Sequence, residues 1–424
     1  MSQLGQAVSF ATRLYRQRAD IAIAGHLKRD PMCLLTLRPG RDNPYAIYER
    51  MRAAGTLNPT RLGNWATTSY RVCRSVLRDR RFGVQPEDGS PHPVEEDMDL
   101  SFLGMNPPDH TRLRRLAMPA FSPKAVATYR DRIVRTVDTL LDRAEAAGRF
   151  DLVSSLAAPL PIAVITDLLG IPDAESENFA YHGMLIGGAL DGIRSLRHAA
   201  QLQASDTHLR AFFERLFELR RREPGDDIVS AVVAAEGDQI APEEMLPLCI
   251  LLLVAGFETT VNLIGNGVLA LLTHREQWEA LCAEPRAMAP RAVDEVLRFD
   301  PPVQRTGRVA LEPIELEGTL VRTNQFVITL LGGANRDPEA YDRPNTFDIN
   351  RTGGVDHLAF SSGIHYCVGA PLATLEATVA VEKLAERMPD LHRTGPVRRR
   401  NATTIRGPIR LPVSVGAPRA VRTR

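Results

Sequence analysis

One cysteine, Cys367, stands in the run Phe360-Ser361-Ser362-Gly363-Ile364-His365-Tyr366-Cys367-Val368-Gly369-Ala370, two residues after a histidine. An apolar helical pattern follows it (Leu372, Ala373, Leu375, Ala377, Val379). A thiol just before a helix N-terminus is expected to have a lowered pKa, because the free backbone N–H groups and the helix dipole favour its anion. Gly363 and Gly369 would let the backbone press closely against a flat ligand. A thiolate placed this way suits a soft metal, and haem iron with an axial cysteine is the arrangement that activates O₂. A free cysteine can equally be a buried space filler, so the loop gains meaning only with other sites.

Three further clusters lie far away in sequence. Leu251-Leu252-Leu253-Val254-Ala255-Gly256-Phe257-Glu258-Thr259-Thr260 sits inside a helical pattern spanning 243–274, apolar on nearly all faces before Gly256. A glycine costs about 1 kcal/mol there relative to alanine, and a buried Glu is expensive unless paired. Glu258 beside Thr259 would make a proton relay, and Gly256 would leave room for a diatomic ligand or water; a solvated stripe is the plain alternative. Pro247 predicts a late start or a kink in the first turns. Glu295 and Arg298, at i and i+3, share a helix face and can pair in bidentate fashion or lie exposed. Asn106-Pro107-Pro108-Asp109-His110-Thr111-Arg112-Leu113-Arg114-Arg115 turns into a helix that presents His110 and Arg114 on one face. With Arg308 and His365 these would suit a ligand carrying two carboxylates, although each alone could be a surface residue.

The elements that must position these groups are mostly helices. Segments 124–147 (with Gly148 as stop), 153–169, 175–189 and 196–221 have helical spacing. Strands are predicted at 326–331, 308–316, 409–415 and 64–68. Residues 83–105 carry Pro, Gly and acids without periodicity and read as a long loop of the functional kind. The chain is thus mainly α with a minor β-sheet (α+β), organised as an N-terminal helical extension over 1–42 and a single domain over 43–424. Hydrophobic residues make up 44% and charged ones 24% of 424, enough for a large core. A net charge of +1 calls for no nucleic-acid partner. The five cysteines lie far apart, an odd count without zinc-site spacing, as expected of a cytoplasmic protein. The longest apolar run, Leu248 to Phe257, is too short for a membrane span.

Taken together these residues resemble the cytochrome P-450 superfamily of haem-thiolate monooxygenases, of the soluble bacterial kind. The likeness extends from about Asn43 to Val413. It rests on the Pro-Pro-Asp-His-Thr-Arg-Leu-Arg segment, Ala255-Gly256-Phe257-Glu258-Thr259-Thr260, Glu295-x-x-Arg298, and Phe360-x-x-Gly363-x-His365-x-Cys367-x-Gly369, with Asn335-Arg336-Asp337-Pro338 and Phe347-Asp348 in support. The resemblance implies a triangular helical domain with a long central helix over 243–274 and a cysteine-ligand loop over 354–370. It implies haem b (iron protoporphyrin IX) with Cys367 as axial thiolate, Phe360 beneath it, and His110, Arg114, Arg308 and His365 on the propionates. Glu258 and Thr259 would deliver the protons of oxygen activation. Glu295 and Arg298 would lock the segment leading to the cysteine. Ala255, Gly256, Val303 and Thr404 would line the substrate pocket, with 84–105 as access loop and 174–205 as lid. Ser361 stands where many relatives have Gly, which a negative φ would accommodate, and Asn106 replaces an Asp that caps a turn.

The implied activity is insertion of one atom of O₂ into a lipophilic small molecule by hydroxylation or epoxidation. A bacterial secondary metabolite such as a polyketide or macrolide, carrier-protein-bound or free, is the expected substrate. No nicotinamide or flavin fingerprint is present, so NAD(P)H would act through a ferredoxin and a ferredoxin reductase. Arg71, Arg74, Arg78, Arg80, Arg81, Arg112 and Arg115 would supply the docking patch. A peroxide-driven fatty-acid peroxygenase and a non-enzymatic haem-thiolate sensor are the alternatives; both are disfavoured by the Glu258–Thr259 pair.

Overall fold

The computed structural model describes residues 3–61, 63–86, 88, 99–172, 176–187, 195–400 and 402–416. Its axis is the helix Pro242–Thr273, 32 residues long. Leu248–Val254 and Thr260–Leu271 are buried without interruption, so the apolar surface that runs round this helix is covered on all sides. It is long and apolar enough to cross a membrane, with mean hydropathy 1.9 in its most apolar window, yet 83% of that window is buried within the molecule. This is a core helix. The expected late start is not observed: the helix begins at Pro242 and Pro247 lies inside its second turn. The start is held from outside. Glu244 reaches back to accept the Ala241 N–H at 2.9 Å, and Arg112 donates twice to the same carboxylate at 2.7 and 2.8 Å. So near the N-terminus, Pro247 forfeits a single helical hydrogen bond.

Helices Pro159–Leu168, Ser176–Gly187, Pro285–Phe299 and Ala370–Arg387 pack on this axis, and Pro123–Ala147 backs Ala370–Arg387. Pro123–Ala147 stops at Gly148, where φ is +66°. Segment 153–169 divides into a wide turn, Val153–Ala157, and the helix Pro159–Leu168, because Pro159 cannot continue a preceding helix. The main sheet has five short strands in the order Asn58–Pro59, Trp65–Thr67, Phe326–Thr329, Thr306–Ala310, Phe82–Gly83. Trp65–Thr67 runs parallel to Phe326–Thr329, and Arg308 pairs in register with Val327. The strand expected at 326–331 ends at Thr329, since Leu331 opens the short helix Leu331–Ala334. The run 308–316 divides into strands Thr306–Ala310 and Ile314–Leu316, and 409–415 into Pro408–Arg410 and Pro412–Ser414, which belong to different sheets. The N-terminal extension is helical, with Gln3–His26, Pro31–Thr36 and Arg38–Asp42. Within the expected access loop, 87 and 89–98 lie outside the described residues, as do 174, 175 and 188–194 of the expected lid. The lid's remaining parts are the helix Ser176–Gly187 and the start of Leu196–Arg222.

Candidate active site

Cys367 sits just before the N-terminus of helix Ala370–Arg387, whose N-cap is Gly369. Its backbone N–H donates to the Phe360 carbonyl at 3.0 Å, closing the loop. Burial pushes the Cys367 thiol up, against the Gly369 and Ala370 amides and the Arg114 cation, which pull it down. The lowered pKa expected from the helix terminus is therefore not observed; desolvation outweighs the dipole in the protein alone. The amides nonetheless aim at the sulfur, as a thiolate ligand requires. Gly363 has φ of +70°, and a Cβ there would collide with the Leu77 carbonyl oxygen. This glycine lets the loop seat on the end of helix Tyr70–Arg78. At Gly369 a Cβ would meet nothing closer than the Phe121 ring at 3.9 Å. Phe360 lies beside the loop, its ring 6.3 Å from Tyr366 and 5.8 Å from His357. Ser361 adopts φ of +64°, not the negative value expected, and so takes the left-handed geometry that a glycine would take without strain.

His110, Arg114, Arg308 and His365 come together beside this loop. The two imidazoles face each other with centroids 4.2 Å apart, and Arg114 donates to the Tyr366 carbonyl. His110 is 2% and Arg308 4% exposed. Among the described residues, neither ring nitrogen of His110, nor Nε2 of His365, has a hydrogen-bond partner. Burial lowers His110 to about 4, helped by Arg114 and Arg308, and lowers His365 to about 3, helped by Arg308, His110 and Arg114. Desolvation alone lowers Arg308 to about 10. Among the described residues no carboxylate pairs with Arg308. Buried cations and donors left open in this way are costly unless an anionic partner completes them. The group they fit carries carboxylates and lies against a cysteine loop, which is the description of haem with its propionates.

Glu295 and Arg298 form a buried bidentate pair at 2.7 and 2.8 Å, each 3% exposed. Arg298 also donates to the carbonyls of Asn335, Pro344 and Thr346. Asn335 in turn accepts the Leu358 N–H at 2.7 Å, which carries the lock to the approach of the cysteine loop.

On the long helix, Ala255 is exposed and Gly256 and Thr259 half-exposed amid buried neighbours, which opens one short stripe for a ligand. Glu258 is buried at 3% exposure and points elsewhere. Its Oε1 lies 2.5 Å from Nη2 of Arg400 and accepts from Asn262 at 3.2 Å. The Thr259 hydroxyl donates to the Ala255 carbonyl at 3.0 Å. The acid and the alcohol are therefore neighbours in sequence that no direct hydrogen bond joins. At Gly256 a Cβ would lie 2.9 Å from Cδ1 of Ile165, so helix Pro159–Leu168 fills the side on which a side chain would project. Val303 forms an isolated antiparallel bridge with Ile405, and the Gln304 N–H donates to the Thr404 carbonyl at 2.8 Å, so Val303 and Thr404 are brought together. Sequence reasoning missed Arg400, Asn262 and Ile165. Arg400 reads as part of the charge run Arg398-Arg399-Arg400, and only the folded chain reveals its partner.

The basic patch is smaller than expected. Arg71 pairs with Glu317 at 2.6 Å, Arg81 with Asp79 at 2.6 Å and Arg112 with Glu244 at 2.7 Å, while Arg74, Arg78, Arg80 and Arg115 stand exposed. Asn106 caps no helix turn; its Oδ1 accepts the Val84 N–H at 2.8 Å beyond strand Phe82–Gly83.

A mainly helical fold built on one long buried helix, with a cysteine at a helix start and a cradle for two carboxylates beside it, defines a haem-thiolate protein. Comparison with known proteins agrees. The family model for Cytochrome P450 matches residues 91–387. The chain is 40% identical over 362 residues to the cytochrome P450 monooxygenase PikC of Streptomyces venezuelae, covering 82% of this chain and 85% of that one. It is 34% identical over 395 residues to the polyketide biosynthesis cytochrome P450 PksS of Bacillus subtilis, covering 88% and 96%. The crystal structure of P450BioI with an acyl carrier protein bearing hexadec-9Z-enoic acid superposes with a TM-score of 0.83 at 35% identity, covering 89% of this chain and all of that one. The chain belongs to the cytochrome P450 family and is a monooxygenase of the bacterial kind.

Proposed function

We propose that this enzyme oxidises a lipophilic secondary metabolite of polyketide or macrolide type, by hydroxylation or epoxidation, in the cytoplasm. The observation that carries the cofactor assignment is the convergence of His110, Arg114, Arg308 and His365 beside Cys367, with buried donors open toward a dianion. Those residues would hold the propionates, Cys367 would bind the iron and Phe360 would pack beneath. When bound there, haem supplies the reduction and O–O cleavage of O₂ that the thiolate's electron donation favours.

The chain's own residues supply the rest. Ala255, Val303 and Thr404 would line the substrate pocket. Glu258 would hold the proton and Thr259 would pass it on, with a rotamer change or a water closing the gap between them. Electrons would come from NAD(P)H through a ferredoxin and its reductase docking on Arg74, Arg78, Arg80 and Arg115. The polyketide class is supported by the description of PksS, and presentation on a carrier protein by the P450BioI complex; both are analogies from fold-mates.

The dithionite-reduced protein exposed to CO tests the cofactor site: a strongly red-shifted Soret band is expected, lost in Cys367→Ser. An unshifted band would overturn thiolate ligation. Substrate-dependent NAD(P)H consumption with a ferredoxin and reductase, giving an oxygenated macrolide or acyl-carrier-bound chain, tests the reaction. Equal turnover with peroxide alone would favour the peroxygenase.

A further inference from the structure

Glu258 is held by a residue that no motif marks. We infer that Arg400 is the positioning residue of this acid, and that through it the C-terminal segment bordering the pocket sets the charge and direction of the Glu258 carboxylate. This rests on Glu258 acting as the proton donor proposed above.

Arg400 Nη2 approaches Oε1 of Glu258 to 2.5 Å, and the side chains are 17% and 4% exposed. Asn262, one turn along the long helix, donates to both the Glu258 carbonyl (2.7 Å) and Oε1 (3.2 Å). Arg400 itself is fixed by its backbone N–H, which donates to the Gly407 carbonyl at 3.0 Å. Gly407 is pressed onto the long helix so tightly that a Cβ there would lie 2.6 Å from the Cβ of Asn262. From the lid, the Gly187 backbone covers the other carboxylate oxygen; a Cβ there would meet Oε2 at 3.4 Å. Among the described residues, Arg400 is a charged group in contact with Glu258. Its neutral neighbours are Asn262 on the same helix and Gly187 on the lid helix.

Between Arg400 and Gly407 the chain carries Thr404 and Ile405, which are tied to Gln304 and Val303 at the expected substrate wall. A substrate seated against that wall would bear on the same short segment that anchors Arg400. The glutamate's extra methylene relative to aspartate gives the carboxylate the length to reach a partner across from the helix. An ion pair at this distance favours the charged form of the acid over the neutral one. It also directs the carboxylate away from Thr259, whose hydroxyl is turned to Ala255. Proton delivery then requires the carboxylate to leave Arg400 or to exchange its proton through a bridging water.

The test titrates the Glu258 carboxyl in the resting haem-loaded protein by difference infrared spectroscopy, the band being identified by its loss in Glu258→Gln. The expected result is an upward shift of its midpoint by about one to three pH units in Arg400→Gln, with Arg400→Lys restoring most of it. The product formed per NAD(P)H consumed should show the same shift in its pH profile. An unchanged infrared midpoint in Arg400→Gln would overturn the role of Arg400. If instead the midpoint shifts but Glu258→Gln leaves both coupling and its pH profile intact, Arg400 holds a carboxylate that is not the proton donor, and the proposed relay fails. A thermal unfolding midpoint near that of the parent in both Arg400 variants excludes general unfolding as the cause.

Discussion

At the scale of single residues, the cysteine loop carries a strain that a glycine would remove. Ser361 has φ of +64°, a conformation costing roughly 1–2 kcal/mol for a side chain bearing Cβ. Its hydroxyl lies 3.5 Å from Nη2 of Arg308, too long to offset that cost. Ser361→Gly is therefore expected to raise stability by about 0.5–1 kcal/mol, after allowing for the greater freedom of glycine in the unfolded chain. A higher urea midpoint at unchanged slope would show it; a lower midpoint would mean that the hydroxyl contributes more than its geometry suggests. The motifs that carry the family resemblance singled out Cys367, Glu295, Arg298 and the four propionate candidates, because their types are restricted by what they would bind or pair with. They did not announce the sign of φ at Ser361 or the Ile165 side chain that fills the space at Gly256, since both are set by atoms far away in the chain.

At the scale of elements, helix Ala370–Arg387 contains a carboxyl for which the described residues supply no counter-charge. Glu376 is 2% exposed, its Oε2 lacks a hydrogen-bond partner, and burial pushes its pKa well above the ordinary value. The folded protein therefore holds a proton that the unfolded chain releases above the usual carboxyl pKa. Where the unfolded state binds fewer protons, stability falls as pH rises. Glu376→Gln keeps the shape without the charge, so it should unfold at higher denaturant than the parent at about pH 8, with the gap closing toward about pH 4.5. A gap independent of pH would show that Glu376 does not titrate between folded and unfolded states. Helical periodicity located this helix and the long one because apolar spacing is a local property. It placed the start of the long helix too late, since the contacts that hold the first turns, Arg112 to Glu244 among them, come from another helix. It also merged the strands after 308 and 409, because whether the chain breaks at Leu311-Glu312-Pro313 and at Leu411 depends on which sheet each piece joins.

At the scale of the molecule, a net charge of +1 conceals a local excess of cations beside the cysteine loop, the face proposed above to receive the electron donor. The end of helix Tyr70–Arg78 abuts the cysteine loop so closely that a Cβ on Gly363 would lie 3.1 Å from the Cα of Arg78. On the neighbouring helix Asp109–Ala117, Arg115 follows the Arg114 that holds the Tyr366 carbonyl. Both Arg78 and Arg115 are exposed, as are Ile364 and Tyr366 of the loop itself. An apolar centre with unpaired cations around it suits an acidic partner that docks briefly and releases, because such charges steer encounter more than they tighten the complex. Arg78→Glu should lower the rate of reduction by a ferredoxin about tenfold at low ionic strength, and the deficit should shrink as salt screens the charges. Arg286→Glu, an exposed arginine on helix Pro285–Phe299, makes the same change in net charge on an element other than the cysteine loop and the two helices just named, and should leave the rate near that of the parent. Stopped-flow reduction followed at several salt concentrations distinguishes the two. Equal losses in both variants would mean that overall charge, and not the rim of the cysteine loop, governs the approach of the donor.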